Sequence, residues 1–256
     1  LGEALTGTAP RAALALRQTS LGAARELAGE KGVASWLDRA VRTAGEGRRT
    51  PIVLVGPAPD PLDAVATQVL RRPPAETAAF GLEVAGALDG EPAGEEATAV
   101  ARLLANAKRP LVIAGAGLGA AAVVEAAGAV SERLGGKARI ALFPPEANSL
   151  GLTLLGGEGL ESACRALEAG RARRVVILEI DLRERAPTHT VERLLRAAER
   201  VVVLDHLETS MTAGADVVLP VASFREAAGT FVNYEGRAQR YFAVIAGGRP
   251  AAWRLL

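Results

Sequence analysis

Few side chains in these 256 residues stand at spacings that do chemistry. Gly115-Ala-Gly117-Leu-Gly119-Ala120 follows an apolar run and precedes a helical pattern, a loose version of the dinucleotide fingerprint. In that motif glycines let backbone N–H groups approach a pyrophosphate at a helix N-terminus. The next apolar run, Ala138 to Phe143, ends in Phe143-Pro144-Pro145 and offers no acid for a ribose hydroxyl, since Glu146 comes too late. Tight strand-to-helix packing is therefore the first reading of Gly115 and Gly117, and nucleotide binding the second.

Asn148 and Ser149, in Pro144-Pro-Glu-Ala-Asn148-Ser149-Leu-Gly151, follow the carboxyl end of a strand, the side on which open α/β sheets bind ligands. They are suited to hydrogen-bond a phosphate or a pterin edge; the plainer reading is that they cap the loop's own backbone. His189 and His206 are the only histidines, and neither has a partner at metal-ligand spacing. Both read as exposed or locally hydrogen-bonded. Cys164 shares a helical stripe with Leu160, Ala163 and Leu167 and reads as a small buried hydrophobe. Nucleophile elbows, Walker loops and framed carboxylate pairs are missing, so no catalytic residue and no metal ligand is assigned.

The elements that position these residues alternate in type. Ile52 to Val55 predicts a first strand, and Asp60 followed by Pro61 predicts a capped helix with Leu62, Val65, Ala66 and Val69 as its buried stripe. The Pro-, Gly- and acid-rich stretch Asp89 to Glu95 marks a surface connection or a domain boundary. Beyond it come a helix bearing Val100, Leu103, Leu104 and Ala107, strand Pro110 to Ala114, helix Ala120 to Leu134 and strand Ala138 to Phe143. A loop from Pro144 to Gly157 leads to the Cys164 helix, strand Arg174 to Ile180, helix Thr188 to Arg200, and strand Val201 to Leu204. Continuous Val/Ile/Leu strands alternating with helices predict an α/β fold, a doubly wound Rossmann-like, mainly parallel sheet over residues 51–256. Residues 1–50 read as one or two helices, Pro10 to Gly29 and Gly32 to Gly45.

Hydrophobic residues make up 49% of the chain and the net charge is +1, so neither nucleic acid nor an anionic membrane surface is indicated. No apolar run is long enough to cross a bilayer, and a cytoplasmic location is expected. With one cysteine, the chain cannot build an iron-sulfur cluster or a structural zinc site from its own thiolates.

The C-terminal stretch carries the most specific pattern. Ala215-Asp-Val-Val-Leu-Pro220 is a strand that stops at a proline. Val221-Ala-Ser-Phe-Arg-Glu226, Gly229-Thr-Phe-Val-Asn233 and Glu235-Gly236-Arg-Ala-Gln239 follow. Turns at Gly229 and Gly236 predict a β-hairpin whose Phe231, Phe242 and Val244 lie against the sheet. Together these runs resemble the molybdopterin oxidoreductase superfamily, and within it the G subunits of NADH:quinone oxidoreductase, respiratory complex I. The resemblance is clearest over residues 108–256, and the Ala-Asn148-Ser149-x-Gly run adds to it. Arg109 to Gly115 also resembles the middle domain of thiamine diphosphate enzymes, a family without the Ala-Asp-Val-Val-Leu-Pro ending.

The resemblance implies a molybdopterin-type fold without its cofactor, serving as a structural scaffold. It implies iron-sulfur clusters in a part of the parent protein not present here, the ends at Leu1 and Leu256 being read as cuts in a longer polypeptide. It also implies partners among the peripheral-arm subunits, including the rest of the G subunit and the flavin-bearing NADH-binding subunit, on the cytoplasmic face of the membrane. Molybdenum enzymes of the superfamily commonly carry a Gly-x-Asn/Asp turn after the strand matching Val175 to Ile180. Here Glu179-Ile-Asp181-Leu-Arg183-Glu184-Arg185 stands instead, without the glycine and with bulky charged side chains in its place, which should obstruct a dinucleotide. If a nucleotide binds, the vestigial candidates are Gly115, Gly117, Asn148, Ser149 and Asp181. The rival reading is a working domain of a molybdopterin guanine dinucleotide enzyme, formate dehydrogenase-like; a free-standing nucleotide-binding domain comes third.

Overall fold

The computed structural model describes residues 1–256, which form two units, Leu1–Glu146 and Ala147–Leu256. The division falls after Glu146; residues 89–94 only join two helices inside the first unit.

The first unit begins with helices α1 (Leu5–Thr8), α2 (Pro10–Thr19), α3 (Gly22–Glu30) and α4 (Asp38–Ala44). Helices α3 and α4 close on a small core of their own, Ala24, Ala28 and Val41. Strand β1 (Val53–Gly56) then pairs in parallel with β2 (Gln68–Arg71), Val53 opposite Gln68. Between them lies a single 3-10 turn, Pro61–Val65, and not the longer helix that the Asp60-Pro61 signal predicts. Its start does match: the Asp60 carboxylate accepts the Leu62 N–H at 2.8 Å in a capping box with Asp63. The helix fails beyond Val65 because Thr67 returns to the strand. Its N–H donates to the Ile52 carbonyl and its hydroxyl accepts the Ile52 N–H, leaving Val69 and Leu70 extended.

Helices α5 (Pro74–Leu88) and α6 (Glu95–Asn106) precede β3 (Leu111–Gly115), helix α7 (Ala121–Arg133) and β4 (Arg139–Phe143), which pairs in parallel with β3. Phe80 and Val84 of α5, Val100 of α6 and Val130 of α7 bury one face of these strands with Val112 and Ala114. Leu5, Ala13 and Leu62 bury the other with Phe143, Leu54 and Ile113. Strand residues alternate between the two faces, so both must be apolar.

The second unit opens with α8 (Ser149–Leu154), a short helix inside the stretch expected to be loop, and α9 (Leu160–Glu168). Strand β5 (Arg174–Leu178), helix α10 (Thr188–Ala197), β6 (Arg200–Asp205), the short α11 (Ser210–Ala213) and β7 (Val217–Pro220) follow. The three strands form one parallel sheet in the order β5-β6-β7. Ile177, Val201 and Val203 meet Val191 on one face, where Cys164, Leu167 and Leu194 lock α9 to α10. Pro220 ends the edge strand, having no N–H to donate.

The chain closes with the antiparallel hairpin β8 (Gly229–Val232) and β9 (Ala238–Tyr241). Its turn needs Gly236, at φ +79°. Gly229, expected at a second such turn, lies within β8, and its missing side chain makes room for the Tyr241 ring, whose hydroxyl would stand 2.5 Å from an added Cβ. Phe231, Phe242 and Val244, expected against the sheet, are exposed. The result is an α/β chain with mostly parallel strands. No helix is long and apolar enough to cross a membrane.

Candidate functional site

In the first unit the glycine turn sits between the carboxyl end of β3 and the start of α7, as the sequence requires of a phosphate-binding turn. The space over it is taken. A Cβ added to Gly115 would collide with the Glu3 carboxylate and come within 2.6 Å of the Phe143 carbonyl oxygen. The Gly117 N–H, one of the donors that a pyrophosphate would use, donates to Glu3 Oε2 at 3.4 Å. Glu3 is itself held by the Thr8 hydroxyl at 2.7 Å. A carboxylate belonging to the chain thus occupies the anion position, and a second anion there meets like charge.

In the second unit Asn148 stands just ahead of α8 and Ser149 is its first residue. The Asn148 Oδ1 accepts the Val232 N–H of β8 at 2.8 Å, tying the loop to the hairpin. Ser149 receives at its carbonyl the Thr153 hydroxyl, 2.9 Å away. The Asn148 side chain thus bonds the hairpin backbone, whereas the Thr153 bond at Ser149 is made to its main-chain carbonyl.

Asp181 lies past the carboxyl end of β5. It accepts the Arg183 N–H at 3.0 Å, and both the hydroxyl and the N–H of Ser210, at 2.9 and 3.1 Å. Partial desolvation works to raise its pKa, but these hydrogen bonds outweigh it and hold the carboxyl below its ordinary value. Two residues earlier, Glu179 takes a backbone that L side chains rarely adopt, φ +47°, as its N–H donates to the Leu204 carbonyl at 2.8 Å. Desolvation raises its pKa, the nearby Asp205 adds to this, and His206 opposes it.

Asp205, 5% exposed, accepts the N–H groups of His206 and Leu207 through one oxygen, at 2.7 and 3.1 Å. That oxygen also lies 3.3 Å from His206 Nδ1, which makes no hydrogen bond to it. Glu226 accepts both the N–H and the hydroxyl of Ser223, which lowers its pKa.

The carboxyl end of this sheet therefore carries several acids, of which Asp181 and Asp205 accept hydrogen bonds from nearby N–H and hydroxyl groups. Glu179, Asp181 and Asp205 present negative charge where an open α/β sheet receives an anionic cofactor. No group of three His, Cys, Asp or Glu side chains is placed to hold a metal ion. Cys164 is fully buried, its thiol 3.7 Å from the Thr190 carbonyl, and His189 lies in the first turn of α10.

Gly115 and Gly117 belong to one unit and Asn148, Ser149 and Asp181 to the other. Sequence reasoning missed Glu3, whose glycine neighbours are 112 and 114 residues away, and the Ser223–Glu226 pair, for which the three-residue spacing was a usable signal.

Residues 95–248 match the molybdopterin oxidoreductase family. The chain belongs to that family. Among its relatives is the NADH-quinone oxidoreductase G subunit of Pseudomonas fluorescens, 44% identical over 96% of this chain and 28% of the relative. The corresponding G subunit of Shewanella oneidensis is 41% identical over 96% of this chain and 29% of its own length. That of Escherichia coli (strain K12) is 38% identical over 95% and 28%. The chain thus spans under a third of the length of these relatives. For the family's dinucleotide cofactor the residues present are a poor fit: Glu3 fills the glycine turn, Asp181 already accepts from Arg183 and Ser210, and Glu179 places a side chain at a positive-φ position.

Proposed function

We propose that the chain is the scaffold portion of a complex I G subunit, a degenerate molybdopterin-type domain that binds no cofactor while electrons pass elsewhere in the assembly. The observation that carries this reading is the Glu3 carboxylate seated on the glycine turn. The acid cluster at the second sheet supports it independently, because a dinucleotide would bring further negative charge against Asp181 and Asp205. On this reading the strands complete a doubly wound, Rossmann-like sheet, and iron-sulfur clusters belong to another part of the parent protein. The partners are the remaining peripheral-arm subunits, including the flavin-bearing one, on the cytoplasmic face of the membrane. The exposed Phe231, Phe242, Val244 and Ile245 suit contact with such partners.

Two measurements test the proposal. Titration calorimetry of the chain with GDP, the nucleotide half of a molybdopterin guanine dinucleotide, and with NADH should give no binding heat. Mass-spectrometric metal analysis of the purified parent complex should find neither molybdenum nor tungsten above background. One metal per complex, or one-to-one binding of GDP at micromolar concentration, would establish the rival reading of a working molybdopterin enzyme.

A further inference from the structure

In the first unit β1 pairs only with β2 and β3 only with β4, so β1 and β3 each have one side to which no strand is added. The chain's first two residues touch both edges. The Leu1 nitrogen donates to the Ile113 carbonyl of β3 at 2.7 Å, and the Gly2 N–H donates to the Val55 carbonyl of β1 at 2.7 Å. Successive residues that donate to opposite neighbours are the mark of a strand lying between two others. The two edges are therefore held about two strand spacings apart, roughly 9.5 Å.

The direction can be read as well. From Leu1, beside Ile113, the chain advances to Glu3, whose carboxylate lies over Gly115 and Gly117. It runs with β3 and so parallel to it.

A cavity of about 1090 Å³ borders these residues, and its lining runs from Thr50, Pro51 and Pro110, upstream of Leu1 along that line, to Gly56 and Asp60 beyond it. Val53 of β1, Leu111 of β3, Phe80 of α5 and Leu104 of α6 are among its lining residues. Strand alternation fixes which backbone groups face it. Ile52 and Gly56 turn their carbonyls to the β2 side, and Pro110 turns its carbonyl to β4. Val53, Val55, Leu111 and Ile113 therefore turn their peptide groups into the cavity.

We propose that this cavity is a strand slot, filled by the stretch of polypeptide that leads into Leu1 and inserts as a parallel strand between β1 and β3, in the order β2-β1-inserted strand-β3-β4. The inference stands apart from the proposed function and rests on the two open edges and the seated Leu1-Gly2. Four to six residues span the slot at about 3.3 Å each. With apolar side chains on both walls, the inserted strand is apolar at successive positions, as in a parallel sheet covered on both faces. A proline at a donating position blocks it.

The test compares the chain as it stands with versions extended at the N-terminus. One carries about six residues taken from directly ahead of the position equivalent to Leu1 in the Pseudomonas fluorescens relative; the other carries the same residues with proline at alternate positions. Amide hydrogen exchange reads Val53, Val55, Leu111 and Ile113, while Leu54 and Val112, which face β2 and β4, serve as internal references. In the bare chain the four slot amides should exchange at least about tenfold faster than the references, and the unaltered extension should slow them about 100-fold. The proline extension should leave them fast.

Slot amides already protected in a bare chain that sediments as a monomer would overturn the proposal, as would equal protection by both extensions. Protection of the bare chain that disappears on dilution of a dimer would make a second copy the occupant and reject the assignment. Should the bare chain fail to fold, cooperative unfolding seen only with the unaltered extension supports the slot, and equal folding with either extension sinks it.

Discussion

Replacing Glu179 with glycine should stabilise the second unit, even though the substitution deletes a whole side chain. The residue sits at φ +47°, a conformation that costs an L residue about 1–2 kcal/mol and costs glycine almost nothing. Glycine gives back part of this, about 0.4–1 kcal/mol, through the greater freedom of the unfolded chain. The net expectation is a gain of roughly 0.5–1 kcal/mol, or about 2–5 °C in the unfolding midpoint of residues 147–256.

Charge adds a second, pH-dependent part. Desolvation and then Asp205 raise the folded-state pKa of Glu179 above its unfolded value, so the folded unit favours the protonated acid. The stability linked to that proton is fully present below the unfolded pKa and is lost as pH rises through the folded pKa. Removing the carboxyl therefore helps at neutral pH and stops helping in acid. The side chain is exposed, so solvent screens this part and leaves the backbone part dominant. Glu179→Gln and Glu179→Ala supply the controls, since both remove the charge and keep the Cβ. Urea unfolding at pH 7 and near pH 4.5 should show the glycine variant ahead of both controls at either pH. A Glu179→Gly protein no more stable than Glu179→Ala would refute the strain argument.

Gly115→Ala should cost about 1–3 kcal/mol in urea unfolding, because the new methyl meets the Glu3 carboxylate and the Phe143 carbonyl oxygen. Cys164→Ser should cost about 1–2 kcal/mol by burying a more polar group, and native Cys164 should resist iodoacetamide until the unit unfolds. Gly236→Val should cost about 1–3 kcal/mol, measured as loss of thermal stability, because valine is poorly suited to φ +79°. Asp216, whose pKa is lowered by the Val201 N–H and then by Arg200, should contribute stability that is complete above its unfolded pKa and lost as pH falls through the folded one. Asp216→Asn should flatten the acid limb of the stability–pH curve.

How much could be read in advance follows from the range of the interactions. Strands such as Leu111–Gly115 and Arg200–Asp205 and helices such as Ala121–Arg133 announce themselves by runs and periods a few residues long. The stripe ending at Val69 misleads because Leu62, Val65, Ala66 and Val69 have helical spacing. A pair of hydrogen bonds between Thr67 and Ile52 then turns the segment into a strand. Helix α5 passed unread because Ala and Gly dominate Pro74–Leu88 and leave little polar face to set a period. The site was less legible than the fold. Glu3 reaches Gly117 across 114 residues, and no local pattern encodes that approach. At Glu179 the sequence shows only an acid, whereas the structure shows a backbone at φ +47°, a conformation that glycine adopts without strain. The shape of a ligand-binding turn and its chemistry are thus separable. The path of the chain past β5 depends on φ and on the Leu204 carbonyl, but what can dock there depends on the side chain that projects from it. A turn of this shape bearing a carboxylate repels the anion that the same turn bearing a glycine would admit.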